Sequence, residues 1–361
     1  MRIVAVSDVT MGYGTPQLPL LTSSLAEHYR GEGWILEPVQ PELAPRHGLF
    51  PNLRMESCPS TFHPHTNQGR QEYLWRAANR VNELKPDVLV ICCTFCLPAL
   101  FRVNYRPRKV VYYSVESIPF YGAFDEEMNR HAGPLLDIVI FPEENRALGE
   151  IGRYGFHEAV KLVLYNATNR SDWPEPLPMA ERNGRILYAG TISPSQTYAG
   201  YYVNRELANL PIDLYGPLKF PNEADRDAFL RDLQPGIRYR GYVDARELSG
   251  IRRQYITSTV MWNPSNENQY FAAPNKFFDS IADGVPPVAA PHPQCRQLIE
   301  RYGCGILTKD WELESFASAL RRMVEMYRKG PEWEQMAANC RRAAAQELNW
   351  DAQFAKVRPH L

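Results

Sequence analysis

Short uninterrupted apolar runs, each followed by a segment of helical period, constrain this chain more than any other feature. Runs such as Ile3-Val4-Ala5-Val6, Val88-Leu89-Val90-Ile91-Cys92-Cys93 and Ile138-Val139-Ile140-Phe141 lack the alternation of a half-exposed strand. They read as parallel strands buried on both faces, joined by crossover helices. Strands are expected over 3–7, 34–39, 88–93, 110–114, 137–141 and 160–165, and helices over 18–29, 68–84, 97–101 and 144–154. After a Pro-rich stretch the alternation restarts, with strands over 185–190, 212–215, 237–239, 259–262 and 287–290 and a helical tail from 313.

A length of 361 residues exceeds what one hydrophobic core usually organises. The chain therefore divides into a first domain over 1–168, a linker over 169–184 and a second domain over 185–345, with a closing helix over 346–361 returning to the first. Segment 41–67, with five prolines and little periodicity, is expected to be a long ordered loop.

A net charge of −1 gives no bulk attraction to nucleic acid. No run reaches the roughly 18 apolar residues of a spanning helix, and the opening apolar run is too short for a signal peptide, so a cytoplasmic protein is expected. Arg102, Arg106, Arg108 and Lys109 suit a peripheral contact with anionic lipid, or a solvated face. The seven cysteines have no framework spacing; Cys92, Cys93 and Cys96 sit in an apolar run like buried thiols, and with His63 and His65 they match no standard zinc pattern. No metal and no resident cofactor are expected. Gly12-Tyr13-Gly14 with Glu37 resembles the start of a dinucleotide fingerprint, but Gln17 stands at the third glycine position and Pro16 and Pro19 crowd the helix start.

The stretch from Pro274 to Gly284 reads as a short helix. Pro274 suits its start, Gly284 the left-handed position after its end, and Phe277, Phe278 and Ile281 form an apolar stripe. Lys276, Asp279, Ser280 and Asp283 then share the opposite face. A helix N-terminus with a lysine in its first turn can receive a diphosphate, and an acid one turn on can accept hydrogen bonds from a ribose diol.

The run Pro274-Asn275-Lys276-Phe277-Phe278-Asp279-Ser280-Ile281-Ala282-Asp283-Gly284-Val285-Pro286-Pro287-Val288 resembles the C-terminal signature of GT-B glycosyltransferases of the family 4 type (glycosyl transferases group 1). The likeness continues through 292–307, 313–327 and Asn349-Trp350-Asp351, and more weakly in the first half at 85–88 and 163–167. It implies an α/β fold of two Rossmann-like doubly wound domains facing each other across a cleft. It also implies a hexosyltransferase-type enzyme moving sugar from a nucleotide diphosphate-sugar to a hydroxyl of a glycan, lipid-linked or small-molecule acceptor, with retention and without metal.

By the same resemblance Gly190, Thr191, Ser193, Lys219, Ser265, Asn266, Glu267, Asn275, Lys276 and Asp279 bind the donor. Gly12, Tyr13, Gly14, His63 and His65 would line the acceptor side. Glu116 and Lys276 would be catalytic, with Glu116 orienting or deprotonating the acceptor. Two departures stand out: Glu267 lies twelve positions before Asp279, and Thr191 to Thr197 holds no cation where the family often has an arginine and a lysine. A binding protein without catalysis and a nucleotide-sugar epimerase are the alternatives.

Overall fold

The computed structural model describes residues 1–156, 158–169 and 176–361. It divides into two compact units, Met1–Tyr165 with Phe354–Leu361 and Asn166–Gln353. Part of the expected linker, 170–175, lies outside the described residues; Met179, beyond it, belongs to the second unit, where its carbonyl accepts from the Tyr327 hydroxyl at 2.8 Å.

The first unit holds β1 (Arg2–Val6), α1 (Gln17–His28), β2 (Glu32–Pro38), β3 (Leu53–Cys58), α2 (Asn67–Leu84), β4 (Val88–Cys92), α3 (Cys93–Leu100), β5 (Lys109–Tyr113), α4 (Ala123–Ala132), β6 (Ile138–Phe141), α5 (Glu144–Tyr154) and β7 (Val160–Val163). Its seven strands run in the order β3-β2-β1-β4-β5-β6-β7 with parallel pairings throughout. Every residue of β4 and β6 is buried, as a strand covered on both faces requires. Segment 41–67 is not wholly a loop: β3 lies within it and pairs with β2 from Gly33–Leu53 to Pro38–Cys58. An edge strand needs only one neighbour and tolerates the charged residues Arg54 and Glu56.

The second unit continues with β8 (Ile186–Ala189), β9 (Ile212–Tyr215), α6 (Glu223–Arg231), β10 (Ile237–Tyr239), α7 (Ala245–Arg252), β11 (Thr257–Val260), α8 (Glu267–Tyr270), α9 (Asn275–Ala282), β12 (Pro287–Ala289), α10 (Pro293–Tyr302), β13 (Ile306–Leu307), α11 (Leu313–Lys329), α12 (Pro331–Gln346) and α13 (Trp350–Ala355), the last ending in the first unit. The parallel order is β10-β9-β8-β11-β12-β13. The expected strand over 259–262 begins two residues earlier, where Thr257 and Ser258 pair with Ile186 and Leu187 of β8 and the Thr257 hydroxyl donates to Pro286 O. The fold is thus α/β, two doubly wound parallel sheets. At the C-terminus of the chain, Lys356 Nζ donates to Val163 O at 3.2 Å and lies over the Tyr165 ring. Among the described residues no helix is long and apolar enough to cross a membrane.

Candidate functional site

In an open parallel sheet the binding crevice forms at the carboxyl ends of the strands, where neighbouring crossovers leave to opposite sides. In the second unit that point lies between β8 and β11, since the chain passes from β8 to β9 on one side and from β11 to β12 on the other. The loops that open there begin at Gly190 and Trp262.

Gly190 has φ 144 and donates its N–H to Tyr215 O at 2.9 Å. Its carbonyl lies against Gly216, where an added Cβ would stand 2.0 Å from Gly190 O. Two backbones meet there without side chains between them. The loop beyond Gly190 closes on itself. Thr197 Oγ1 accepts from Ser193 N at 2.9 Å and donates to Thr191 O at 3.0 Å, and the Tyr188 hydroxyl also donates to Thr191 O. Asn263 fastens the β11 loop to it, donating through N to Gln196 O and through Nδ2 to Ser195 O. Lys219 joins only through its backbone N–H, to Ile192 O at 2.9 Å, and its side chain is exposed. Asn266 caps α8 by accepting from Gln269 N at 2.9 Å, Ser265 donates to the Gln269 side chain at 2.5 Å, and Glu267 forms the first turn of α8.

Helix α9 follows. Phe277, Phe278 and Ile281 are fully buried, and the helix packs on β11, β12 and α12; Gly284 takes the left-handed conformation after its end, φ 65. The opposite face is not a solvated one. Ser280 is buried and donates to Val285 O at 2.7 Å, closing the turn that follows the helix. Asp283 is also buried, accepting from Ser249 Oγ at 2.6 Å and Arg252 at 2.5 Å. Covered on both sides, α9 has room for a polar side chain only where a partner meets it. Arg252, from α7, also reaches Asp279 at 3.4 Å. Burial pushes the Asp279 carboxyl up to about 6, against the pull of that guanidinium.

Lys276 is the exception. Asn275 is exposed at the start of the helix, while Lys276 turns its Nζ inward, 4.4 Å from the centre of the Tyr188 ring and 5.1 Å from that of Trp262. A Cβ at Gly190 would lie 3.3 Å from this Nζ. The nitrogen is buried and has no hydrogen-bond partner among the described residues, and burial alone brings its pKa down to about 7. Two ring faces offset part of the cost of a desolvated ammonium, but neither ring is an anion. His292, which carried no role in the sequence reading, lies near enough to feel this charge. Its Nδ1–H donates to Tyr270 O at 3.1 Å, its ring meets Trp311 edge-on, and its buried Nε2 has no partner among the described residues. Burial holds it down to about 4, so it is neutral and Nε2 is an acceptor.

In the first unit the corresponding point lies between β1 and β4. Asp8, at the end of β1, has its carboxyl pushed up to about 6 by burial, with the Glu116 charge adding to the rise. His65 Nε2 donates to Asp8 O at 3.3 Å; its backbone N–H donates to His63 Nδ1, leaving His63 Nε2 to donate to Glu42 at 3.2 Å. Glu116, three residues after β5, lies near enough for its charge to act on Asp8. Gly12, Tyr13 and Gly14 build a different contact: the Tyr13 hydroxyl donates to Ala44 O, Arg46 covers the Tyr13 ring, and Gly12, φ 93, leaves room for Arg46. Glu37 is fully buried and already accepts from Met11 N at 2.7 Å and meets His47 at 2.6 Å, so it is a structural carboxylate rather than a ribose ligand. Arg106 is held by Leu135 O and Asp137; Arg102 and Arg108 are exposed.

No family model matches the chain, and no curated protein matches its sequence. Solved structures do match its fold. HepE (Alr3699) of Anabaena, in complex with UDP and glucose, superposes with a TM-score of 0.72 at 14% identity, over 99% of this chain and 98% of that one. Sucrose-phosphate synthase from Thermosynechococcus elongatus gives 0.75 at 13% identity, over 99% and 98%. The lipopolysaccharide outer core galactosyltransferase WaaB in its apo form gives 0.68 at 12%, over 100% and 99%. The chain has the GT-B fold of these proteins.

Proposed function

We propose that this protein is a glycosyltransferase that takes its sugar from a nucleotide diphosphate-sugar. The observation that carries the reading is the Lys276 ammonium, buried at the switch point of the second unit, beside the first turn of α9, with no anion to balance it among the described residues. A diphosphate supplies that anion, and the dipole of a helix N-terminus favours negative charge at the same place. Asp279, one turn on and partly exposed, is the partner for a ribose diol, and Gly190 and the hydroxyls of Thr191 and Ser193 flank the phosphates. The fold shared with HepE, sucrose-phosphate synthase and WaaB, and the UDP and glucose of the HepE complex, support the same reading.

Transfer breaks the bond between the anomeric carbon and the diphosphate oxygen, whose electron pair stays on the leaving group. Lys276 meets that growing charge, where a well-placed donor contributes about 3 kcal/mol. The acceptor hydroxyl bonds to the anomeric carbon, and its proton passes to the leaving phosphate on the retained face, without a metal. Glu116 orients the acceptor, which is a carbohydrate or lipid-linked hydroxyl. The absence of a cation between Thr191 and Thr197 favours, as the second reading, a protein that binds the donor without turning it over.

Thermal shift over a panel of nucleotide diphosphate-sugars tests the binding half, since ligand at about 100 times its Kd adds roughly 2.7 kcal/mol. Release of nucleotide from the donor so identified, with transfer to an added acceptor, tests the catalytic half. Stabilisation by no member of the panel overturns the proposal, and binding without turnover leaves the second reading. Asp279→Ala is expected to lower donor affinity about tenfold or more while the unit stays folded; unchanged affinity removes Asp279 from the site.

Affinity also carries a pH signature. The bound diphosphate needs a protonated Lys276, and the free protein holds this group at about 7. Binding above that pH takes up a proton, so affinity falls with rising pH, approaching tenfold per unit between about 8 and 9. Isothermal titration in buffers of different ionisation enthalpy reads the uptake directly; a flat profile excludes Lys276 as the phosphate contact.

A further inference from the structure

At the strand ends of the first unit, one carboxylate oxygen of Asp8 and the sulfurs of Cys92 and Cys93 all lie within 4.8 Å of one another. Cys92 Sγ is 3.5 Å from Asp8 Oδ1 and 3.7 Å from Cys93 Sγ. Consecutive residues of a strand point to opposite faces, so neighbouring cysteines meet only where the backbone turns between them. Here it does. Cys93 adopts a left-handed conformation, φ 59, at the junction of β4 and α3, which costs a non-glycine residue about 1–2 kcal/mol. Both cysteines are fully buried, and Asp8 is partly exposed.

We propose that Asp8, Cys92 and Cys93 form a binding site for a thiophilic divalent cation, zinc before others. With Zn–S of about 2.3 Å and Zn–O of about 2.0 Å, the edges of a tetrahedron are about 3.8 Å between sulfurs and about 3.5 Å between sulfur and oxygen. The two distances given above match two of the trio's three edges, and the third, between Cys93 Sγ and the Asp8 carboxylate, is within 4.8 Å. Two sulfurs with one oxygen select zinc over magnesium or calcium. Capture converts both thiols to thiolates, sends their two protons to solvent, and leaves one coordination position for water. The expectation of no metal rested on Cys–His spacing; this trio needs neither His63 nor His65, and one of its members comes from 84 residues away. The bound ion would clasp the β1 loop to the β4–α3 junction.

The test is a titration of the full-length, reduced, metal-free protein with Co2+. One equivalent is expected to bind with a near-ultraviolet thiolate-to-cobalt band, release about two protons and yield to Zn2+. Cys96→Ser, a buried thiol outside the trio, should keep the band. Cys92→Ser and Cys93→Ser should each abolish it, and Asp8→Asn should weaken binding about tenfold or more. A folded wild-type protein with no band overturns the proposal, as does a band that survives either serine variant. If those two variants fail to fold by circular dichroism, the wild-type proton count and Asp8→Asn decide: no proton release, or undiminished affinity in Asp8→Asn, overturns it.

Discussion

Replacing Lys276 with methionine is expected to weaken nucleotide diphosphate binding about a hundredfold, roughly 2.7 kcal/mol, while making the ligand-free second unit more stable. The two effects have one cause. Among the described residues no carboxylate meets the ammonium, so its desolvation is only partly offset by the rings of Tyr188 and Trp262. Methionine fills a similar volume and packs well on aromatic faces. The gain should be about 1 kcal/mol or more near pH 6, a few degrees in Tm.

The gain should shrink as the pH rises. Lys276 titrates at about 7 in the folded unit and near 10.5 when unfolded. Between those values the unfolded chain holds more protons, so wild-type stability climbs with pH and approaches that of the variant. Thermal melts at pH 6 and pH 9, with and without nucleotide, check both halves. A variant less stable than wild type at pH 6 refutes this account of the buried charge.

Gly216→Ala is expected to produce the largest loss of stability. Its new Cβ would overlap Gly190 O at 2.0 Å, and φ 133 already disfavours any side chain there. The obstacle is backbone rather than a mobile side chain, so the ends of β8 and β9 must separate. A loss of about 3 kcal/mol or more is expected, with donor binding falling alongside because Gly190 bounds the site. Gly48→Ala, where an added Cβ meets nothing within 4 Å, is the control and should melt like wild type. Equal melting of both variants would show that the strand ends yield more easily than the contact implies.

Helix α9 was legible in the sequence because local signals agreed: an apolar stripe, a proline at the entrance and a glycine in the exit. Strand β3 was not, since Arg54, Glu56 and Ser57 carry little strand preference and their place is fixed by pairing with β2. Strand β11 was shifted for a related reason. Its apolar residues lie toward its carboxyl end, so the buried polar Thr257 and Ser258 at its start were passed over. At the candidate site Lys276 and Asp279 stood out by type and spacing. Arg252 and His292 did not: the first comes from a helix 27 residues before Asp279, and the second matters only because a buried lysine lies nearby. The burial of Ser280 and Asp283 was equally invisible, because it depends on what packs against the second face of the helix.

The Arg252 contacts anchor one end of α9. Its last turn is bound by Ser249 and Arg252 to Asp283, and the Gly284 carbonyl beyond it accepts from Arg182 at 3.2 Å. At the other end, the lysine head rests on ring faces that impose no fixed direction on it. The freedom there belongs to the side chain alone, because the buried Phe277 and Phe278 seat the first turn itself. On the proposed reading, an arriving phosphate would draw the ammonium out of its aromatic seat over a short distance while the helix and the sheet beneath keep their register.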